Sequence, residues 1–435
     1  MLPDAPVKGA DGVANSTDIR VWRRFGVALG ALAGALLVLA GAVPARADAS
    51  FAQWLAGVRA EAAAPPYNVS AAVLDSAFKG VTPDLGLPDL VLPGRTAKSS
   101  GQAEFTKSPR AYLDPVLLSR LGGQGRELAR QHAATIDRIE NVIGVDRHVV
   151  LAIWGRETAF GTHKLPHYAI RVLATQAYLG RRKELFRTEL LFALKMLEDR
   201  IVTVDTMRSS WAGAMGLTQF MPSEFYQSAR SLDGRRPDLF RSVPDALASA
   251  AEQLRLKGWV TGLPWGFEVI VPAGADCGLE GPDQARPLAV WARLGFKRTN
   301  GQTWPAAHAS AEAYLMSPAG AFGPAFLVTE NYKVIRRYNM SDLYATFVGH
   351  LADRIAGGGD FDTPWKEIAA MPESEVATIQ QQLQRRGLAI EKIDGKVGSN
   401  TRRLIGTYQR QNKLAVDCWP TRGLLQHLTS GAPVR

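Results

Sequence analysis

The chain has 435 residues, 46% of them hydrophobic and 21% charged, and its 10 Trp, 16 Phe and 10 Tyr supply a core large enough for two or more domains. This composition excludes a disordered or low-complexity chain, and the formal charge of +10, without any dense Lys/Arg run, argues for an acidic partner but not for a nucleic-acid-binding stripe. Only two cysteines occur, Cys277 and Cys418, far apart and without metal-ligand spacing; they pair in an oxidising compartment or stay as buried thiols, and the sequence decides neither.

The first element is "WRRFGVALGALAGALLVLAGAVPARADAS", with two arginines, an apolar run from Phe25 to Val43, and Ala45-Arg46-Ala47 as a small-residue cleavage site. Residues 1–47 read as a signal peptide. The competing reading is an uncleaved anchor, because about 19 apolar residues nearly span a bilayer. No later segment is apolar enough to cross a membrane, and no Cys near the cleavage site can carry a lipid. The expectation is therefore an exported, soluble or wall-associated protein of the periplasm. Residues 1–47 hold Lys8, Arg20, Arg23, Arg24 and Arg46 against Asp4, Asp11 and Asp18, so most of the positive charge stays with the remainder. For an exported basic chain, an anionic cell-envelope polymer is the natural partner.

From Asp48 to about Gly80 the pattern is helical (Phe51, Trp54, Leu55, Val58), and Thr82 to Thr106, rich in Pro, Gly and Ser, reads as a surface loop. One helix is expected over Arg126 to Ile143, ended by Gly144, and Asp146 is a good N-cap for the next. Amphipathic segments follow at Glu184 to Ile201 and Val243 to Leu256, with a short strand at "FEVIVPAG" in a mixed insert. Asn331 to Arg337 and Asp342 to Ile355 complete a mainly helical domain over 48–355. "AGGGDFDTPW" breaks every periodicity and predicts a linker over 356–372. In the tail, 373–435, two short helices flank "IDGKVGSNT", where Ser399 or Asn400 can cap the second.

Three stretches carry chemistry. In "VLAIWGRETAFG" the spacing of Val150, Ile153, Trp154 and Glu157 puts a carboxylate on the apolar stripe of a helix. Desolvation there raises a carboxyl pKa, which suits a general acid for glycosidic cleavage; the plainer reading turns Glu157 to water or to Arg156. Standard glycosidases use two carboxylates. No second acid shares such a setting, since Glu184, Glu189, Glu198 and Asp199 sit among charged neighbours, so a one-acid mechanism must find its nucleophile in the substrate. In "SSWAGAMGLTQFMPSEF" the small residues Ala212, Gly213, Ala214 and Gly216 permit either close approach of a ligand or close helix packing, while Ser210 and Gln219 offer hydrogen bonds. In "ENYKVIRRYNMSDLYATFVGH" Tyr338 and Asn339 precede a Ser341-capped helix carrying Tyr344, an aromatic and amide set fit for a sugar ring or for core and cap duty. His163 and His167, separated by Pro166, make no metal motif, and no phosphate-binding loop is present.

In this order "AIWGRETAFG", "SWAGAMGLTQFMPS" and "RYNMSDLYA" resemble the lytic murein transglycosylases of the membrane-bound B type, over most of Ala49 to Ile355. The resemblance implies a lysozyme-like helical domain that cleaves the bond from N-acetylmuramic acid to N-acetylglucosamine without water, leaving a 1,6-anhydro end. It implies Glu157 as the single catalytic acid and base, with substrate contacts at Ser210, Gln219, Tyr338, Asn339, Tyr344 and, in "RAYLDPVLLSR", Tyr112. It implies no cofactor and no metal, with peptidoglycan glycan strands and other cell-wall enzymes as partners of a monomer. Some relatives have an acidic calcium loop; "SLDGRRPDLF" offers only Asp233 and Asp238 amid arginines, so calcium is not expected. Gln253 stands where some relatives place an aromatic. The tail is similar to the small three-helix peptidoglycan-binding domain, with Cys418 in "VDCWPT" where that module usually has glycine. The alternatives are a hydrolytic muramidase and a non-catalytic wall-binding or scaffolding protein.

Overall fold

Helices begin and end where side chains can satisfy the orphan backbone groups at their termini. A computed structural model describes residues 43–94, 107–369 and 371–431. Most of the expected signal segment and part of the loop after Thr82 lie outside the described residues. The first helices, α1 (Val43–Ala63) and α2 (Ala71–Phe78), bury Phe51, Leu55 and Val58 as their spacing requires. The stretch up to Gly94 has no helix or strand of its own, yet Leu87 and Leu90 pack on Val172. Next come α3 (Pro109–Tyr112), α4 (Pro115–Gln131) and α5 (Ala133–Ile143). The single helix expected over 126–143 is thus two: His132 leaves helical geometry at φ −107°, ψ 19°. Between Leu128 and Ile136 no large apolar side chain marks a core-facing turn, which is where the break falls.

Gly144, at φ 80°, closes α5, and Asp146 Oδ1 caps α6 (Arg147–Thr158) by accepting from the His148 and Val149 N–H groups at 2.7 and 3.2 Å. Every residue from Val149 to Gly155 is buried, so α6 is not the amphipathic surface helix its apolar stripe suggests but a helix surrounded by core. Around it stand α7 (Ala169–Leu179), α8 (Lys183–Glu198), α9 (Pro222–Ser228) and α10 (Val243–Leu256), with a two-stranded antiparallel ribbon of β1 (His167–Tyr168) and β2 (Arg208–Ser209).

The insert is an antiparallel sheet in the order β4-β6-β7-β3-β5, built from β3 (Gly266–Ile270), β4 (Arg286–Pro287), β5 (Lys297–Arg298), β6 (Glu312–Met316) and β7 (Ala325–Thr329). With α11 (Leu288–Arg293) it closes a core of its own around Trp291, Phe296 and Leu315. From β7 the chain enters α12 (Glu330–Asn339) and α13 (Asp342–Ile355), which return to the main core.

The described residues of the expected linker form no helix or strand, but it is a strap and not a tether. Phe361 stacks on His350 with ring centroids 3.7 Å apart, the Asp362 and Thr363 N–H groups donate to Glu268 at 3.0 and 2.7 Å, and Lys366 N–H donates to Phe322 O at 2.8 Å. Its aromatic residues override its loop-like composition. Beyond it, α14 (Glu373–Arg385), α15 (Ser399–Gln411) and α16 (Arg422–Ser430) form a three-helix module around Ile379, Leu383, Ile405 and Leu424. The N-cap of α15 is Gly398, not Ser399 or Asn400, which already lie inside the helix.

A Cys277–Cys418 disulfide joins the insert to this module, which answers the question the spacing left open. Cys418 adopts φ 61°, the left-handed region that glycine takes at no steric cost, so the unusual residue there holds a backbone conformation that suits glycine. Gly406 on α15 makes room for the bridge: a Cβ there would meet Cys277 Sγ at 2.1 Å. Ion pairs Arg410–Asp276 (2.9 Å) and Arg403–Asp283 (3.3 Å) flank it, and the chain from Asp48 to Arg435 is one compact unit. Among the described residues, no helix is long and apolar enough to cross a membrane.

Candidate active site

Three chain segments far apart in sequence meet at the C-terminal end of α6, and one hydrogen bond ties each pair. Thr158, buried one residue beyond Glu157, donates to Leu217 O at 2.7 Å, joining α6 to the "AGAMGLTQF" segment. Tyr338, near the end of α12, donates to Thr218 O at 2.6 Å, joining that segment to the α12–α13 turn. Tyr344, on the first turn of α13, donates to Glu157 Oε1 at 2.5 Å and closes the triangle. Glu157 itself is half-buried. The backbone just after it is strained, with Ala159 at φ 47° and Phe160 at φ 58°, a run that non-glycine residues rarely hold away from functional sites.

The two tyrosines stack with planes 8° apart and centroids 6.3 Å apart. Burial first, then the nearby Glu157 charge, pushes both phenols well above the usual 10, so Tyr344 stays protonated and acts on Glu157 as a donor. Asn339 is half-buried beside them, and Met340 follows with 67% of its surface exposed. On the opposite segment Gln219 holds φ 55° and donates its amide to Gly216 O at 3.1 Å, and Ser210 Oγ accepts from Ala214 N–H at 3.2 Å. Gly216 is there for packing, since a Cβ would lie 2.7 Å from Leu239 O; the close approach its size permits is to the protein's own backbone.

Residues 50–353 match the family model of the transglycosylase SLT domain. The chain belongs to the transglycosylase SLT family. Residues 372–428 match the peptidoglycan binding domain. Among solved structures, SltB3 from Pseudomonas aeruginosa in complex with NAG-anhNAM-pentapeptide is 38% identical, with a TM-score of 0.76, over 87% of this chain and 99% of that one. The same protein in complex with NAG-NAM-pentapeptide superposes with a TM-score of 0.75. The curated membrane-bound lytic murein transglycosylase B of Escherichia coli (strain K12) is 29% identical over 228 residues, 52% of this chain and 61% of the relative's own length. The mainly helical, lysozyme-like architecture with a small sheet insert and a helical tail is shared with these transglycosylases.

Of the residues that sequence reasoning assigns to this SLT site, Glu157, Tyr338, Asn339 and Tyr344 come together, and Gln219 and Ser210 lie on the segment bonded to them. Tyr112 behaves differently. Only 4% exposed, it accepts from Arg156 Nε and Nη2 at 3.2 and 2.7 Å, so its hydroxyl faces the protein. Arg156, which the sequence presents as a neighbour of Glu157, belongs to this cluster although the sequence does not single it out. Its guanidinium lies 5.2 Å from the Tyr112 and Phe347 ring centroids and 5.9 Å from that of Tyr344. Burial alone would lower its pKa, but Tyr112 and the Glu157 charge more than offset that, and Arg156 is a permanent cation.

Glu189, expected among charged neighbours, is buried instead. It is 7% exposed on α8, accepts from Ser223 N–H and Oγ–H at 2.9 and 2.7 Å, and burial raises its pKa. It fixes the start of α9 and does not touch the Glu157 triangle. Its position three residues after buried Phe186 is the signal that could have found it. Asp233 and Asp238 are engaged with Arg235 and Arg241, and Gln253 is buried. A cleft of about 520 Å³ lies between the α12–α13 turn and the C-terminal module; Met340 to Leu343 line it, and Glu157 does not.

Proposed function

We propose that this chain is a lytic transglycosylase that cleaves the β-1,4 bond between N-acetylmuramic acid and N-acetylglucosamine of peptidoglycan, forming the 1,6-anhydro end. The observation that carries the reading is the 2.5 Å bond from Tyr344 to Glu157 at the meeting point of the three family segments. Glu157 first donates a proton to the leaving oxygen, breaking the glycosidic bond, and the resulting carboxylate then accepts the proton of the muramic 6-hydroxyl as that oxygen attacks the anomeric carbon. The acetamido group of the substrate assists at that carbon, which is why one protein carboxylate suffices. Tyr344 holds Oε1 and stabilises the carboxylate that forms, and Arg156 places a fixed positive charge beside it. Ser210, Gln219, Tyr338 and Asn339 contact the glycan, while Tyr112 acts through Arg156.

Support for the substrate comes from SltB3, the relative bound to NAG-anhNAM-pentapeptide. The basic excess, the peptidoglycan binding domain at 372–428 and the signal-like segment 1–47 fit a chain working on the wall from the periplasm. Mass analysis of fragments released from purified sacculi tests the reading. Anhydro ends are expected, and Glu157→Gln abolishes release. Reducing ends would replace it with a hydrolytic muramidase, and full activity in Glu157→Gln would remove Glu157 from the mechanism.

A further inference from the structure

The most deeply buried ion pair in the C-terminal region has no part in the chemistry above. Arg402 on α15 and Glu280 of the insert have side chains 3% and 0% exposed, and Arg402 Nε donates to Glu280 Oε1 at 3.0 Å. Glu280 also accepts from Ser317 N–H at 3.1 Å. A buried carboxylate without its cation is strongly disfavoured, so Glu280 requires Arg402 in place. The Cys277–Cys418 bridge closes three residues before Glu280 and secures the same interface.

Arg402 reaches further. Its Nη2 lies 3.9 Å from Asp342 Oδ2, at the first residue of α13. The other Asp342 oxygen pairs with Arg336 at 2.7 Å, and the Asp342 carbonyl accepts from Tyr332 Oη at 2.8 Å. Two residues on is Tyr344, bonded to Glu157. An unbroken set of contacts therefore runs from the module through the first turn of α13 to the catalytic carboxylate.

We infer that Arg402 is a positioning residue for the Tyr344–Glu157 pair: anchored on Glu280, it holds Asp342 and so the start of α13. The C-terminal module is then part of the catalytic scaffold besides being a wall anchor. This rests on the glycan-cleaving role given to Glu157 above.

The test uses the full chain and a short soluble glycan fragment of the wall, with kcat and KM measured separately. Asp342→Asn removes the ionic contacts with Arg402 and Arg336 together and leaves the buried pair intact, while Glu280→Gln with Arg402→Met removes both buried charges, spares the fold an orphaned ion and leaves the Arg336–Asp342 pair in place. Each is expected to lower kcat about 10-fold with KM nearly unchanged, with the disulfide still formed and the melting midpoint close to wild type. If the effect passes through Tyr344, Asp342→Asn adds little on top of Tyr344→Phe. Wild-type kcat in both variants, or losses that add fully to that of Tyr344→Phe, would overturn the positioning role. Loss of activity in Glu157→Gln with such an outcome would leave the reaction assignment standing.

Discussion

Tyr344→Phe removes one oxygen and leaves the stacked ring in place, so it isolates the bond to Glu157. That bond is 2.5 Å long, and its donor is held protonated by burial and by the Glu157 charge. A hydrogen bond to a charged group contributes about 1.5–3 kcal/mol. The bond is strongest after Glu157 has given up its proton, so its loss falls on the barrier and not on substrate binding. At 1.36 kcal/mol per decade this is roughly a 10- to 150-fold drop in kcat with KM little changed. Initial rates of fragment release from purified glycan strands, separated by chromatography and weighed by mass spectrometry, give both constants. A Tyr344→Phe enzyme within about 2-fold of wild type would refute the view that this hydroxyl stabilises the carboxylate.

Arg156→Met keeps the aliphatic packing against Tyr112 and Phe347 and removes the charge; kcat should fall roughly 10-fold or more, and Arg156→Lys should recover part of it, which pH–rate profiles of the three proteins can check. Reducing the Cys277–Cys418 bridge frees a loop of 141 residues. Chain entropy puts its contribution at about 5 kcal/mol, so melting with and without a dithiol reductant should show a clearly lower midpoint for the reduced protein, and equal midpoints would contradict that contribution. His350, buried under Phe361 and next to Arg354, has its pKa pushed down to about 3 by burial and by that cation. Its native state is neutral while the unfolded chain protonates near 6.5, so this stabilisation is complete above 6.5 and is lost as pH falls from there towards 3. Denaturant melts across that window should steepen the loss for wild type and flatten it for His350→Gln.

Much of this arrangement is legible in the order of the residues alone. Asp146, Gly144 and Ser341 act locally, through caps that need only neighbouring residues, and all three cap where their surroundings in the chain place them. Glu157 stands out for its place on an apolar stripe, and that stripe belongs to a helix buried along most of its length, so the surface picture around it does not hold. Contacts set by the fold are what the sequence does not convey. Arg156 looks like a solvent-facing charge until three rings from α3 and α13 close over it. Glu189 looks like one charge among several until α9 starts on top of it. The Gly and Asp of 356–372 spell a flexible link, and only the sheet and α13 supply the surfaces that Phe361 and Trp365 cover. Tyr112 is expected as a sugar contact from the resemblance alone, and its neighbours in the chain give no hint that its hydroxyl meets the arginine 44 positions later.

The strap has a practical bearing on where the enzyme can be cut. The family match stops at 353, but Arg354, Phe361 and the Glu268 contacts with Asp362 and Thr363 complete the hydrophobic surface of the domain that precedes them. A protein shortened to the matched segment would leave Phe326 and His350 uncovered and invite self-association in solution, whereas one ending beyond Lys366 keeps that seam closed.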